Sequence, residues 1–276
     1  MPELALLALT FLHYAYAGST SGATAYLYNA ETGGLTETGS IGGFNCAKAL
    51  TRHPTLPVLY CLGTNAGVDV VNVLSVYRDS FSLVQSLTLA DSTFVEIRIQ
   101  PAGAYAVISH AGNNNVYVYA VDAFNGMLSF ISSTAADTGG AAMGFSHRGT
   151  YLYTRRSGTT VHEFSLSGGM LTQAGTPFAP GTNTWIFVES PDSRYLYATT
   201  GTTSAFRFNI ADGSASNFSG AAMNLGFSVS GYTFHKNGFL ANGSMVFYSH
   251  SSGTIGTLAY DSSNGNLSEI FSLAGV

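Results

Sequence analysis

The chain has 276 residues, of which 46% are hydrophobic and 9% are charged, well below the roughly 25% charged residues of an average soluble protein. Its 10 Lys and Arg face 15 Asp and Glu, and the longest basic cluster is Arg155-Arg156, which argues against the positive surface that nucleic-acid binding requires. No apolar run reaches the roughly 18 residues of a transmembrane helix, so we expect one soluble domain over residues 1–276, without membrane insertion.

The N-terminal element is an apolar stretch, residues 1–17, that ends in Ala15-Tyr16-Ala17. A small-x-small ending after an apolar run is typical of a secretory signal peptide. Only Glu3 precedes the run, however, and no positive residue does. We therefore expect this stretch to be β-structure, with a signal peptide as the alternative.

The only two cysteines, Cys46 and Cys61, lie on either side of a predicted turn at residues 53–57. If their segments are neighbouring antiparallel strands, a cross-strand disulfide is geometrically possible. Free cysteine is itself a common core residue, and we favour two buried free thiols over the disulfide. A disulfide would indicate an oxidising compartment.

An aromatic strand that ends in a glycine-containing bend recurs six times along the chain. Its closing glycines are 43 to 52 residues apart, and a period in the forties built only of strands is typical of β-propeller blades. The copies are HYAYAG (13–18), VLYCLG (58–63), AVISHAG (106–112), YLYTRRSG (151–158), YLYATTG (195–201) and VFYSHSSG (246–253).

Turn signals divide each repeat into four strands. Pro101-Ala102-Gly103 and Pro191-Asp192-Ser193 precede the aromatic strand, while Asn125-Gly126 and Asn264-Gly265 precede the last strand, and these residue types favour tight turns. The fold class is therefore predicted as all-β: a propeller of four-stranded antiparallel blades, with six blades favoured and seven possible. The last segment, residues 267–276, is a candidate closing strand for the first blade.

Three sequence segments resemble those of a known family: SPDSRYLYATT (190–200), HPTLPVLYCLGT (53–64) and TAYLYNAETGGLTETGS (24–40). They resemble the lactonase-like β-propellers, the family of 6-phosphogluconolactonase and carboxymuconate cyclase. The resemblance extends over residues 11–272 and implies a propeller, usually of seven blades, that opens sugar lactones with His, Arg and Glu side chains at the mouth of its ring. Here the corresponding stretches, 92–96, 140–143 and 154–156, lack most of those groups, which predicts a catalytically degenerate member.

Candidate ligand-binding residues are the polar and aromatic side chains that a propeller would bring to one face of its channel. An arginine pair beside a carboxylate suits an anionic or sugar ligand, although one arginine could instead pair with Glu163 or Glu189, and the histidines could be structural. No metal-ligand spacing or cofactor motif occurs, so we expect no metal and no cofactor. The candidates are Glu96, His110, Arg155, Arg156, Trp185 and His250.

Two functions follow from these residues. The first is a non-catalytic interaction or structural module that binds protein neighbours or glycans at a cell surface or in a viral assembly. The low charge and the Tyr-, Ser-, Thr- and Asn-rich faces favour it, and no catalytic residue is assigned. The second is a lactone hydrolase that acts on a sugar acid at the channel mouth. We expect an extracellular, virion or cell-surface location, with the cytoplasm as the alternative.

Overall fold

The computed structural model is all-β in the residues that it describes. These residues are 13–28, 35–78, 80–90, 92–136, 142–146, 148–155, 160–175, 177, 184–190, 192, 194–200, 205–209, 220–223, 232–239, 245–250 and 254–273. They form six antiparallel sheets, in each of which the strands follow one another in chain order.

The strands have the following bounds. The first sheet holds β1 (His13–Ser19), β2 (Gly22–Tyr28) and β3 (Leu35–Gly42); the second β4 (Ala49–Arg52), β5 (Val58–Asn65), β6 (Val68–Tyr77) and β7 (Ser80–Thr88); the third β8 (Phe94–Ile99), β9 (Tyr105–His110), β10 (Asn115–Val121) and β11 (Leu128–Ala135). The fourth holds β12 (Ala142–Phe145), β13 (Tyr151–Arg155), β14 (Val161–Ser167) and β15 (Met170–Gln173); the fifth β16 (Thr184–Glu189), β17 (Tyr195–Thr200), β18 (Ala205–Asn209) and β19 (Gly220–Met223); the sixth β20 (Tyr232–Phe239), β21 (Met245–His250), β22 (Thr254–Asp261) and β23 (Asn266–Leu273).

The sheets are arranged as the blades of a propeller. The first strand of each sheet from the second to the fifth contacts the first strand of the next, so β4, β8, β12, β16 and β20 form the inner wall. The predicted propeller of four-stranded antiparallel blades is confirmed for five sheets. The first sheet differs, because its three described strands take the second, third and outer positions: β1 contacts β4, and β3 contacts the outer strand β7.

The number of sheets and the pairing of the last strand were both predicted from the sequence. The described residues contain six sheets, as favoured from the sequence, and no seventh sheet occurs among them. The proposed closing role of the last segment is wrong for its described part, because β23 pairs with β22 in the sixth sheet rather than with the first sheet.

The core lies between neighbouring sheets. Tyr60 and Leu62 of the second sheet pack against Phe94 and Ile108 of the third, and all four are buried. Burying one such side chain contributes about 1.5–3 kcal/mol. Because a single sheet exposes apolar residues on both faces, each sheet needs a neighbour on either side, and this explains why the sequence repeats.

Tyrosine hydroxyls join one sheet to the outer turn of the next. Tyr60, the third residue of β5, donates to the carbonyl oxygen of Gly126 at 2.9 Å, and Tyr197, the third residue of β17, donates to Gly265 at 2.6 Å. Both glycines have a positive φ, 74° and 73°, which glycine adopts without strain. The repeated aromatic strand and the repeated glycine turn are therefore the two halves of one contact.

A second repeated contact joins the inner strands to the next inner turn. His53 Nε2 donates to the carbonyl oxygen of Gly103 at 3.0 Å, and Gln100 Nε2 donates to that of Gly149 at 2.7 Å. A Cβ atom on Gly103 would lie 2.5 Å from His53 Cε1, and one on Gly149 would lie 2.8 Å from Gln100 Cγ. These turns need glycine both for their φ, 78° and 69°, and for the space that the neighbouring side chain occupies.

Cys46 and Cys61 are joined in a disulfide, and their Cα atoms are 5.1 Å apart. The preference for two free thiols is therefore wrong. The alternative, a disulfide, is the one that forms, although the two cysteines are not ladder partners, because Leu50 is the register partner of Cys61. Cys46 instead lies in the segment before β4, where its backbone N–H donates to Ser19 of the first sheet at 2.7 Å.

Candidate functional site

The strand registers bring several of the candidate residues to one face of the propeller, here called the upper face. There each inner strand begins beside the end of the second strand: Phe94 pairs with His110, Ala142 with Arg155, and Tyr232 with His250. A cleft of about 320 Å³ opens on this face between the second and third sheets. Its lining residues are Lys48, Ser92, Thr93, Phe94, Val95 and Ala111.

An ion pair between a partly exposed ammonium and a buried carboxylate lies at the wall of this cleft. Lys48 Nζ is 2.7 Å from both carboxylate oxygens of Asp69, whose side chain has no exposed surface. Thr64 Oγ1 donates to Asp69 Oδ1 at 2.7 Å. The same pair binds Phe94 in the third sheet: the Phe94 N–H donates to Asp69 Oδ2 at 2.9 Å, and Lys48 Nζ donates to the Phe94 carbonyl at 3.1 Å.

Glu96 and Arg98 repeat this arrangement one sheet further along. They form an ion pair with each other. The Met143 N–H of the fourth sheet donates to Glu96 Oε2 at 3.2 Å, and Arg98 Nε donates to the Met143 carbonyl at 3.3 Å. Burial lowers the pKa of the Arg98 guanidinium, and the charge of Glu96 opposes that shift. In both units an acidic side chain accepts from the backbone N–H of one residue in the next sheet, and a cationic side chain donates to the carbonyl of the same residue. We call such a unit a peptide clamp.

His110 is buried and held in one tautomer by its hydrogen bonds. Its Nδ1 accepts from the backbone N–H groups of Gly112 and Asn113, both at 3.1 Å. The ring proton of the neutral imidazole therefore lies on Nε2, which is 2.9 Å from Thr93 Oγ1 and donates to it. Thr93 Oγ1 also lies 3.2 Å from Nδ1, so the imidazole holds this hydroxyl at the edge of the cleft.

Of the remaining candidates, the structure describes the side chain of Arg155 alone. Arg155 ends β13, is 4% exposed, and has its pKa lowered by burial. Trp185 lies in β16 and His250 ends β21, but their side chains, and Arg156 as a whole, fall outside the described residues. The structure therefore places Glu96, His110 and the backbone pair of Arg155 and Ala142 at the same upper part of the inner wall.

Sequence reasoning missed Lys48, Asp69 and Arg98. Two signals were present: Asp69 interrupts the apolar run of β6, and Arg98 stands two residues from Glu96, on the same side of a strand. Among the described residues, no group of His, Cys, Asp and Glu side chains is arranged to hold a metal ion. The described chain also contains no helix that is long and apolar enough to cross a membrane.

No protein-family model matches the chain, and no curated protein matches it. Solved structures do. A candidate 6-phosphogluconolactonase from Bacteroides uniformis superposes with a TM-score of 0.77 and 14% identity, over 95% of this chain and 83% of its own. A candidate 6-phosphogluconolactonase from Bacteroides fragilis superposes with a TM-score of 0.72 and 17% identity, over 95% of this chain and 80% of its own.

The periplasmic gluconolactonase of Pseudomonas aeruginosa gives a TM-score of 0.73 and 17% identity, over 95% of this chain and 83% of its own. At identities this low the likeness concerns the backbone, and the side chains of the site have to be judged on their own geometry. This chain thus has the fold of the lactonase-like, 6-phosphogluconolactonase-type β-propellers.

Proposed function

We propose that this protein hydrolyses the lactone of a sugar acid at the upper-face cleft. The observation that carries the proposal is the cleft itself, in which the Lys48 ammonium and the Thr93 hydroxyl line one opening. It occurs in a fold shared with gluconolactonases. In the reaction, water adds to the lactone carbonyl carbon, the ring C–O bond breaks, and the ring oxygen takes up a proton to leave a hydroxy acid.

The cleft residues would act on the charge that develops on the carbonyl oxygen. A fixed cation and a hydroxyl oriented by His110 are the groups that stabilise an oxyanion, and such electrostatic stabilisation is commonly the largest contribution to acyl transfer. Lys48 is held in place by Asp69 and by the carbonyls of Ser92 and Phe94. Its three N–H donors are engaged by these partners, so it would stabilise the oxyanion through its fixed positive charge rather than through a new hydrogen bond.

The test is acid release from glucono-δ-lactone and its 6-phosphate, followed at constant pH with the full chain and with Thr93→Val. This variant keeps the side-chain shape and removes the hydroxyl. Loss of one oxyanion donor is expected to lower kcat/KM about a hundredfold. Thr88→Val, at an exposed position of the outer strand β7, is the matched control. Equal rates for Thr93→Val and wild type would contradict the proposed site.

A second function, binding without turnover, is favoured by a specific observation. Asp69, Glu96 and His110, which could otherwise activate water, all accept hydrogen bonds from backbone N–H groups. The same assay separates the two functions. A protein that binds gluconate, a neutral glycan or a protein neighbour but does not raise the rate of lactone opening is the interaction module, and the hydrolase proposal then fails.

We also propose that the protein works in an oxidising compartment. The disulfide between Cys46 and Cys61 supports this location, because such bonds are rare in reducing cytosol. One similar protein is described as periplasmic. Alkylation of the protein from its native source before reduction, followed by intact mass, is expected to label no cysteine. Two labelled cysteines would contradict the proposed compartment.

A further inference from the structure

A second cleft, of about 260 Å³, lies on the opposite face of the propeller, between the first and second sheets. Here β4 ends at Arg52, β5 begins at Val58 and β6 ends at Tyr77, whereas the upper-face cleft lies where β4 begins. The two clefts are therefore at opposite ends of the second sheet. The lining residues are Tyr14, Tyr16, Arg52, Pro57, Val58, Leu59, Val76, Tyr77 and Arg78.

Aromatic rings form much of the wall of this lower cleft. Tyr14 and Tyr16 lie on the same side of β1 with their rings stacked, 6.4 Å between centroids and 19° between planes. Phe81 supports Tyr16 from behind in an edge-on contact at 6.1 Å. Tyr77, at the rim, is 72% exposed. Such tyrosine faces suit a flat aromatic ring or the C–H face of a pyranose.

Two arginines supply the charge of the lower cleft. Among the described residues, no carboxylate lines it, and neither Arg52 nor Arg78 forms an ion pair there. Arg78 has a φ of 58°, a conformation uncommon for a residue with a side chain, and its guanidinium lies 5.6 Å from the centre of the Tyr77 ring. The lower cleft is thus apolar and carries two cations that lack a carboxylate partner there.

We propose that the lower cleft binds a small carboxylic acid carried on a six-membered ring, either a hexuronic acid, through the C–H face of its pyranose, or an aromatic acid. The carboxylate would bind the guanidinium groups, whose planar forks match its geometry, and the ring would lie on the tyrosines. This site is independent of the proposed lactone site, because it uses a different face and different residues.

The experiment is a calorimetric titration of the full chain with glucuronate and benzoate, each beside a neutral counterpart, glucose and benzyl alcohol. At least one acid is expected to bind, and its neutral counterpart to bind at least tenfold more weakly, since the neutral compound lacks the charge-assisted hydrogen bonds to the guanidinium groups. Which acid binds identifies the ring. Raising the salt concentration is expected to weaken the binding of the acid, because salt screens the exposed charges of the two arginines.

Variants then assign the binding to this cleft. Arg52→Ala and Arg78→Ala are each expected to lower the affinity about tenfold. Arg148→Ala removes an exposed cation from another sheet and is expected to leave it unchanged, as is Thr93→Val in the upper cleft. Arg52→Lys keeps the charge but loses the fork, and provides a milder variant should Arg52→Ala not fold.

Three results would overturn the proposal: no binding of either acid, equal affinity for an acid and its neutral counterpart, or unchanged affinity in a folded Arg52→Ala, Arg78→Ala double variant. None of these results bears on lactone hydrolysis at the upper face. Conversely, a protein that fails to open lactones but binds an acid through Arg52 and Arg78 refutes only the proposed hydrolase.

Discussion

The turn glycines show how a single residue can serve two sheets. Gly103 needs a positive φ for its own turn, and it also leaves room for His53 of the neighbouring sheet. Gly67 has a similar φ of 82° but no atom within 4 Å of the place where a Cβ would stand. The two glycines therefore separate the cost of backbone strain from the cost of blocking a contact between sheets.

We predict that Gly103→Ala is clearly more destabilising than Gly67→Ala. Both substitutions pay the strain of a positive φ, about 1–2 kcal/mol, but only the alanine at 103 must displace His53, which adds about 1–3 kcal/mol. Urea unfolding of the two variants measures the difference. Equal losses in the free energy of unfolding would show that His53 moves aside and that the contact contributes little.

Buried tyrosine hydroxyls give a prediction about alkaline pH. Burial raises the pKa of Tyr60 far above its ordinary value of 10.0 and that of Tyr119 to about 12. The folded state then holds these protons above pH 10 while the unfolded chain releases them. Their contribution to stability is complete below pH 10 and is lost as the pH rises towards the folded-state pKa values.

We expect Tyr60→Phe to make this alkaline loss of stability less steep. At pH 8 the variant should be less stable by about 1–3 kcal/mol, because the Gly126 carbonyl loses a buried donor. The difference from wild type should narrow between pH 10 and 11. Urea unfolding at pH 8, 9.5, 10.5 and 11 measures it, and parallel curves over this range would contradict the assignment of the Tyr60 hydroxyl to a buried hydrogen bond.

At the scale of strands, each of the two peptide clamps connects one sheet to an inner strand of the next, with which it shares no ladder hydrogen bonds. Asp69 with Lys48 binds Phe94, and Glu96 with Arg98 binds Met143. Each clamp satisfies one backbone donor and one backbone acceptor of the inner strand that it binds. This explains why carboxylates lie buried in so uncharged a chain: each has both a cation and a backbone N–H as partners.

We predict that Asp69→Ala destabilises the protein by about 3–5 kcal/mol, the usual cost of removing one member of a buried ion pair. The Lys48→Met, Asp69→Ala double variant should lose less than the sum of the two single variants, because no unpaired charge is then left buried. A double-mutant cycle by urea unfolding gives the coupling energy. Additive losses would mean that the pair does not act as a unit.

Much of the arrangement of strands could be predicted because it depends on short-range signals. The aromatic strands, the turn glycines such as Gly103 and Gly126, and the spacing of the repeats all lie within one repeat of the chain. The clamps could not be predicted, since Asp69 and Phe94 are 25 residues apart and meet only through the packing of two sheets. Cys46 was misplaced for a similar reason, because it lies before β4, where its N–H bonds Ser19 of the first sheet.

For the candidate site, sequence reasoning identified the right part of the fold but not the state of its side chains. Glu96 and His110 were chosen because a propeller brings them to the channel mouth. That they bind Met143 and the bend at residues 112–113 depends on hydrogen-bond geometry, which residue type and spacing do not determine. A buried acid in a strand is equally compatible with catalysis and with a contact between sheets.

At the scale of the whole molecule, each sheet is stabilised chiefly by its neighbours. The described core clusters span pairs of adjacent sheets, and the tyrosine, inner-turn and clamp contacts all run from one sheet to the next. Such an array unfolds as one unit when the interfaces are strong compared with the stability of single sheets. We therefore expect residues 1–276 to behave as a single cooperative domain.

The most direct test of this account is the urea unfolding of the wild type and of Gly103→Ala, followed by Trp185 fluorescence and by far-ultraviolet circular dichroism. Trp185 is the only tryptophan and lies in the fifth sheet, two sheets away from the substitution. The account predicts coincident transitions for both probes, shifted together to lower urea in the variant. A Trp185 transition that Gly103→Ala leaves unchanged, while the dichroism shifts or splits, would contradict the claim that contacts between sheets hold the molecule together.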